Sequence, residues 1–231
     1  MLRLAPVILL IAITAFAEEE SQVGPHCITG TDAKTKLVTH YYIPLLEKYN
    51  KKSCDLIEGT CIYKKSGQQY LHNFGYKDAL LANAHCKNGY GNKRNCLHPC
   101  RTVAASMAHH KFGEIVYIKD LVGKKCGNKD RDGYEMIHDG YVVVTDTGAP
   151  KYFHETGRFD FFWGRCRNQK GGECFEGAIP ISDGTSHKDM CTVWSPAHPD
   201  VNEDFKDEFV MKVKAEDTAR GDLNAAREFE L

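Results

Sequence analysis

Apolar positions along this chain come as short β-branched and aromatic runs set between turn-forming clusters. Val38-Thr39-His40-Tyr41-Tyr42-Ile43 predicts a strand, followed over Pro44 to Tyr49 by a loop or short helix. Cys54 to Tyr63 and Tyr70 to Phe74 read as two strands around a Lys64-Lys65-Ser66-Gly67 turn. Asp78 to Arg94 is polar and rich in Gly and Asn, which predicts a long loop. Arg101 to Ala105 and Glu114 to Ile118 read as strands, and Gly123 to Gly133 as turns. Tyr141-Val142-Val143-Val144-Thr145 is the clearest buried strand, and Arg158 to Trp163 is another. Short strands at this spacing indicate an all-β barrel or sandwich. Val201 to Leu231 breaks the pattern: it is rich in Glu, Asp, Lys and Ala, and predicts one or two surface helices or an irregular end.

The first residues change the picture of compartment. One Arg precedes an almost unbroken apolar run from Leu4 to Phe16, which Ala15-Phe16-Ala17 closes with small residues before Glu18-Glu19-Glu20. That is the pattern of a cleaved secretory signal peptide over residues 1–17. A span of ~30 Å of hydrocarbon needs about 20 apolar residues, so an anchor fits less well. The expected location is secreted or periplasmic. All ten cysteines follow the signal: Cys27, Cys54, Cys61, Cys86, Cys96, Cys100, Cys126, Cys166, Cys174 and Cys191. An even number in an exported chain predicts a disulfide framework, whose connectivity the sequence leaves open. Zinc is the rival reading for Cys96-Leu97-His98-Pro99-Cys100, but no second compact Cys/His pair follows it. Lys+Arg is 30 and Asp+Glu 31, which gives no basic excess for a nucleic-acid partner. No cofactor or metal is expected: no Gly-rich phosphate loop is present, and the histidines are scattered.

Three carboxylates are candidates for chemistry. Asp146 ends the apolar run and precedes Thr147-Gly148. Asp160 lies within Arg158-Phe159-Asp160-Phe161-Phe162-Trp163, with an ion pair to Arg158 available because i and i+2 share a strand face. Asp139 lies in His138-Asp139-Gly140, where a turn-capping role is the simpler reading. A carboxyl among aromatic side chains is desolvated, which raises its pKa. A carboxylic acid that keeps its proton near neutral pH is what glycoside cleavage needs.

Taken in order, these segments resemble the 3D domain, a family related to the barrel of membrane-bound lytic transglycosylase A. Asp146-Thr147-Gly148 followed by Gly157-Arg158-Phe159-Asp160-Phe161-Phe162 resembles its aspartate signature. Cys100-Arg101-Thr102-Val103-Ala104-Ala105, Phe112 to Ile118, His138-Asp139-Gly140, and Leu56 to Thr60 with Leu71-His72-Asn73 resemble further segments. The resemblance implies a mainly β chain built on a six-stranded double-psi β-barrel, with disulfide-pinned loops and a short helical or irregular C-terminal extension. It divides the chain into a signal peptide (1–17), an extended segment (18–36), the barrel (37–195) and a tail (196–231).

By that resemblance Asp160 is the general acid/base and Asp146 its supporting carboxylate, with Asp139 third. Thr39, Tyr41, Arg101, Thr147, Gly148, Arg158 and Trp163 would contact substrate. Phe153 and Phe162 join Tyr41 and Trp163 as candidates for stacking on sugars, although for any one of them a core role is the commoner fate. The implied activity is peptidoglycan lytic transglycosylation by a monomer with no stable membrane span. The alternatives are a β-1,4-glycan hydrolase, a non-catalytic expansin-like wall-binding module, and a disulfide-rich extracellular effector or inhibitor. Ser106 stands where the family carries a further aspartate, which favours the binding module.

Overall fold

The computed structural model describes residues 27–28, 38–54, 59–92, 95–128, 134–148, 158–166, 190–198 and 203–221. Their secondary structure is mainly β. Strand β1 (Val38–Leu46) precedes a single helical turn, α1 (Lys51–Ser53), and the hairpin β2 (Thr60–Lys65) and β3 (Gln68–Asn73). A two-residue strand, β4 (Ala79–Leu80), follows, and then β5 (Thr102–Ala105) and β6 (Ile115–Ile118). After these come β7 (Lys125–Asn128), β8 (Tyr134–Ile137), β9 (Tyr141–Asp146), β10 (Phe159–Cys166), β11 (Met190–Trp194) and one long helix, α2 (Glu203–Ala219). Nine strands form one sheet in the order β11-β6-β9-β5-β10-β1-β2-β3-β4, while β7 and β8 pair separately.

Strand β1 runs through Pro44, where a loop or short helix was expected. It is parallel to β10 as far as Pro44 and then takes up β2 at Leu45 and Leu46. The missing proline N–H thus falls where the strand changes partners. The second predicted strand begins at Thr60 rather than Cys54, because Lys51–Ser53 is helical. Ser66 and Gly67 both have positive φ, which is the backbone of a two-residue hairpin turn matched to strand twist.

Alternation along β10 distributes its side chains between two cores. Phe159, Phe161 and Trp163 join Val103, Val116, Val142 and Val144 in one cluster. Phe162 joins Tyr41, Ile43, Ile62 and Leu71 in a second. The valine run of β9 is buried on both faces, since Val143 faces a third cluster with Ile115, Trp194, Phe209 and Val213. Phe209, Val213 and Asp217 lie four residues apart on one stripe of α2, which makes this helix a lid on the sheet rather than a surface decoration.

Ion pairs bind that lid. Arg101 has no exposed surface, and its guanidinium grips Glu216 of α2 at 2.6 and 2.7 Å and Asp139 at 2.5 Å. Lys212 pairs with the other oxygen of Asp139, and buried His98 meets Asp217 at 2.6 Å. Burial opposes ionisation of Asp139, but the Arg101 and Lys212 cations outweigh it and hold the carboxyl well below the usual range.

Four disulfides are defined: Cys27–Cys191, Cys54–Cys61, Cys86–Cys96 and Cys100–Cys126. Cys166 is also disulfide-bonded, and Cys174 lies outside the described residues. The zinc reading of Cys96 and Cys100 fails because the two belong to different bridges and His98 serves Asp217. His85 does lie beside Cys86 and Cys96, but both of those sulfurs are committed to a disulfide. The signal segment and residues 222–231 lie outside the described residues, among which no helix is long and apolar enough to cross a membrane.

Arg101→Ala strands Glu216 and Asp139 without their buried counter-charge, and a loss of about 3–5 kcal/mol is expected in urea unfolding. The Asp139 contribution is complete above the ordinary carboxylate range of ~4 and fades as pH falls below it. His138 adds a second acid sensitivity. Its Nδ1 accepts the Gly140 N–H and its Nε2 donates to the Cys100 carbonyl, while burial and then the Arg101 cation push its pKa down to about 3. The unfolded chain therefore takes up a proton near 6.5 that the native state refuses, so stability falls as pH drops from ~6.5 toward 3. His138→Gln is expected to flatten that slope, measured as unfolding midpoints across the range.

Candidate active site

Register brings the two leading aspartates into one line. Asp160 on β10 is opposite Thr39 of β1 on one side and Ala104 of β5 on the other. Ala104 is in turn opposite Asp146 of β9. Residues directly opposed across strands share a face, so Thr39, Asp160, Ala104 and Asp146 form one cross-strand row. Strands lie ~4.8 Å apart, which puts the two aspartate backbones on the order of 10 Å from each other. Ala104, the small residue between them, is buried with Tyr41 and Phe162 in the second core.

Two irregularities flank the row, and the second sets it. The β1–β10 register shifts between Tyr41 and Tyr42, skipping Trp163 and resuming at Gly164, whose φ is 125°. The β5–β9 register shifts between Val103 and Ala104, skipping Thr145 so that Asp146 meets Ala104. Without that second bulge the carboxylate would turn to the other face.

Each carboxylate has its own environment. Asp160 is half-buried and accepts a close hydrogen bond from the Thr39 hydroxyl. Arg158 completes the group: its Nε donates to the Thr39 hydroxyl at 2.8 Å, and its terminal nitrogen lies 3.3 and 3.4 Å from the Asp160 oxygens. The expected Arg158–Asp160 pair is therefore present, with Thr39 as a third member. Asp146 accepts the Thr147 N–H at 2.8 Å and a second backbone N–H from Asn92. Burial nevertheless dominates, and with the negative charge of Asp160 it pushes the Asp146 carboxyl up to about 6. Sequence reasoning expected the desolvated, proton-holding group at Asp160; the shift falls on Asp146.

Asn92 reaches Asp146 from the loop closed by Cys86–Cys96. Gly91 lets it approach: a Cβ there would lie 2.6 Å from the Thr145 carbonyl oxygen and 3.1 Å from the Asp146 Cβ. Gly91 and Asn92 are site neighbours that sequence reasoning missed. The available signal was Gly89-Tyr90-Gly91, an aromatic between two glycines inside a short disulfide loop.

Other expected site residues lie apart from the row or further along its strands. Asp139 caps the Tyr141 N–H at 3.1 Å and is engaged by Arg101 and Lys212, so the turn-former reading describes it. Arg101 is sealed beneath α2 by its carboxylates rather than open to a substrate. Trp163 is buried in the first core cluster, because it shares the alternation of Phe159 and Phe161 rather than that of Asp160. Tyr41 and Phe162 pack together at 5.1 Å in the second core, two residues along β1 and β10 from Thr39 and Asp160. Thr147 and Gly148 are half-buried beyond the end of β9. Phe153 lies outside the described residues. Ser106 is buried, and its carbonyl accepts the His109 and His110 N–H groups in a tight turn.

No protein-family model matches the chain, and no curated protein matches it. Two solved structures of the E. coli lytic transglycosylase MltA do. One is of MltA itself, with TM-score 0.35 and 9% identity over 67% of this chain and 70% of that one. The other is of a substituted variant in an apo form, with TM-score 0.35 and 9% identity over 67% and 69%. A likeness at that TM-score is too slight to carry weight for fold or chemistry.

Gly91→Ala is expected to force the loop away from β9 and to cost about 1–3 kcal/mol, as overpacking does, read as a lowered urea midpoint.

Proposed function

We propose that the chain cleaves the glycan strands of peptidoglycan as a lytic transglycosylase, with Asp160 and Asp146 as its working pair on a double-psi β-barrel. The observation that carries this reading is the row Thr39–Asp160–Ala104–Asp146. It sets two carboxyl groups on one face with a small residue between them. Asp160 gives a proton to the glycosidic oxygen between N-acetylmuramic acid and N-acetylglucosamine. The same carboxylate then accepts the proton of the muramic C6 hydroxyl, whose oxygen closes on C1 to give the 1,6-anhydro product. Asp146 faces the positive charge that develops on the sugar. Thr39 and Arg158 hold Asp160 in place through the hydroxyl and guanidinium contacts described above.

A second assignment exchanges the roles, and the raised pKa of Asp146 favours it. In that version Asp146 holds the proton, and Asp160, beside Arg158, is the charged partner. Export belongs to the same reading, supported by the leader pattern and the disulfides, and a monomeric state is proposed with it.

Digestion of purified sacculi by the wild type, Asp160→Asn and Asp146→Asn, followed by mass spectrometry, tests both versions. Anhydromuropeptides from the wild type and none from Asp160→Asn are expected. Reducing ends instead would make the enzyme a hydrolase. Binding to sacculi with no product from any of the three would sink catalysis and leave an expansin-like module. Complete loss in Asp146→Asn, with a wild-type kcat/KM that falls as pH rises through about 6, gives the donor role to Asp146.

A further inference from the structure

Aromatic rings that belong to no core cluster gather beside the carboxylate row. Tyr90 is at the centre: its ring lies 5.5 Å from Tyr76 at 29° and 6.2 Å from His85 at 16°. These are stacked separations, so the three near-parallel rings form a short stack, a platform in which Tyr90 is the half-buried member and Tyr76 and His85 are the exposed ones. Tyr76 is 37% exposed, and the adjoining Phe74 is 66% exposed. His85 is exposed and Tyr90 half-buried. Of the aromatics chosen from sequence for stacking, Tyr41, Phe162 and Trp163 are instead core residues.

The platform stands on a rigid base. The Asn73 side chain clamps the Tyr90 backbone, accepting its N–H at 3.2 Å and donating to its carbonyl at 3.3 Å. The Thr60 hydroxyl fixes Asn73 at 2.7 Å. Tyr90 also bridges Cys96 in antiparallel fashion, and Cys96 is tied to Cys86. Gly89, with φ at 81°, brings the chain so close to the β2–β3 hairpin that a Cβ would meet Thr60 at 2.7 Å. Holding a solvent-facing tyrosine this firmly gives the fold no core. It does give a ligand a surface whose ordering cost is already met.

Position supplies the ligand class. Two residues on from Tyr90, the Asn92 N–H is hydrogen-bonded to Asp146, so the stack continues from the carboxylate row along the same loop. We infer that Tyr76, Tyr90 and His85 form a sugar-stacking subsite for a β-1,4-linked strand of N-acetylated hexosamines, extending the cleft beyond the scissile linkage. This rests on the glycan-cleaving reading above. A flat pyranose presents an axial C–H face to the exposed outer ring, and its hydroxyls reach the tyrosine edges, with Tyr90 supporting the ring from beneath.

The test measures binding of the N-acetylglucosamine hexamer and of purified sacculi in an Asp146→Asn/Asp160→Asn background, which excludes turnover under either assignment of the donor. Tyr76→Ala and Tyr90→Ala are added singly and together, with the urea midpoint recorded for each. Tyr76, being exposed, can be replaced with little effect on folding, so it reports on binding even if Tyr90→Ala unfolds the loop. A rise in Kd of about tenfold per ring, with the Tyr76→Ala midpoint unchanged, is expected. Unchanged affinity in the folded Tyr variants, with the parent still binding, overturns the platform and leaves the glycan reading standing. A parent that binds neither probe overturns both.

Discussion

Arg101 cannot be buried alone. A guanidinium without exposed surface needs carboxylates on both sides, and here they come from the β8–β9 turn and from α2. Arg101 immediately precedes β5, and its carbonyl accepts the Val143 N–H at 2.8 Å. The same residue therefore fixes β5 against β9 and draws the helix over the outer face of that pair. The register that aligns Ala104 with Asp146 is set two strands from Asp160, but it is anchored at this ionic knot. The candidate site thus depends on a residue that does not line it.

The two aspartates differ through their surroundings rather than their chemistry. Asp160 faces a hydroxyl and a guanidinium. Asp146 faces backbone N–H groups in a drier corner formed by the disulfide loop. Backbone donors only partly compensate burial there, and the neighbouring charge adds to the imbalance. Like carboxyls placed in unlike settings are how one site can hold a proton and a negative charge together.

Much of the sheet was legible in the sequence. The run from Tyr141 to Thr145 and the aromatic strand with Asp160 lie where β-branching and aromatic content predict them, because their burial on one or both faces leaves few polar positions. Pro44 misled, since a local rule against proline in strands says nothing of where a strand changes neighbours. Strand β11 was not anticipated, and neither was the sealing of α2 onto the sheet. The charged residues of that helix read as solvated, whereas Glu216 and Asp217 are partners of Arg101 and His98 more than a hundred positions earlier. Pairings of that separation leave no periodic trace. The aspartates themselves were legible from their motif contexts. Their alignment was not, because it depends on a register shift between β5 and β9 that no local pattern announces.

Thr39 and Asp160 are separated by 121 residues, and Arg101 and Glu216 by 115. Contacts so remote carry a large loop-closure entropy and form late, which gives the chain the slow kinetics of high contact order. The row cannot assemble while the chain is only partly synthesised, because β10 and then α2 must emerge before β1 and β5 have their neighbours. Whatever chemistry the aspartates perform is therefore absent from nascent and incomplete chains. The topology ties assembly of the row to the emergence of the last strands and of α2.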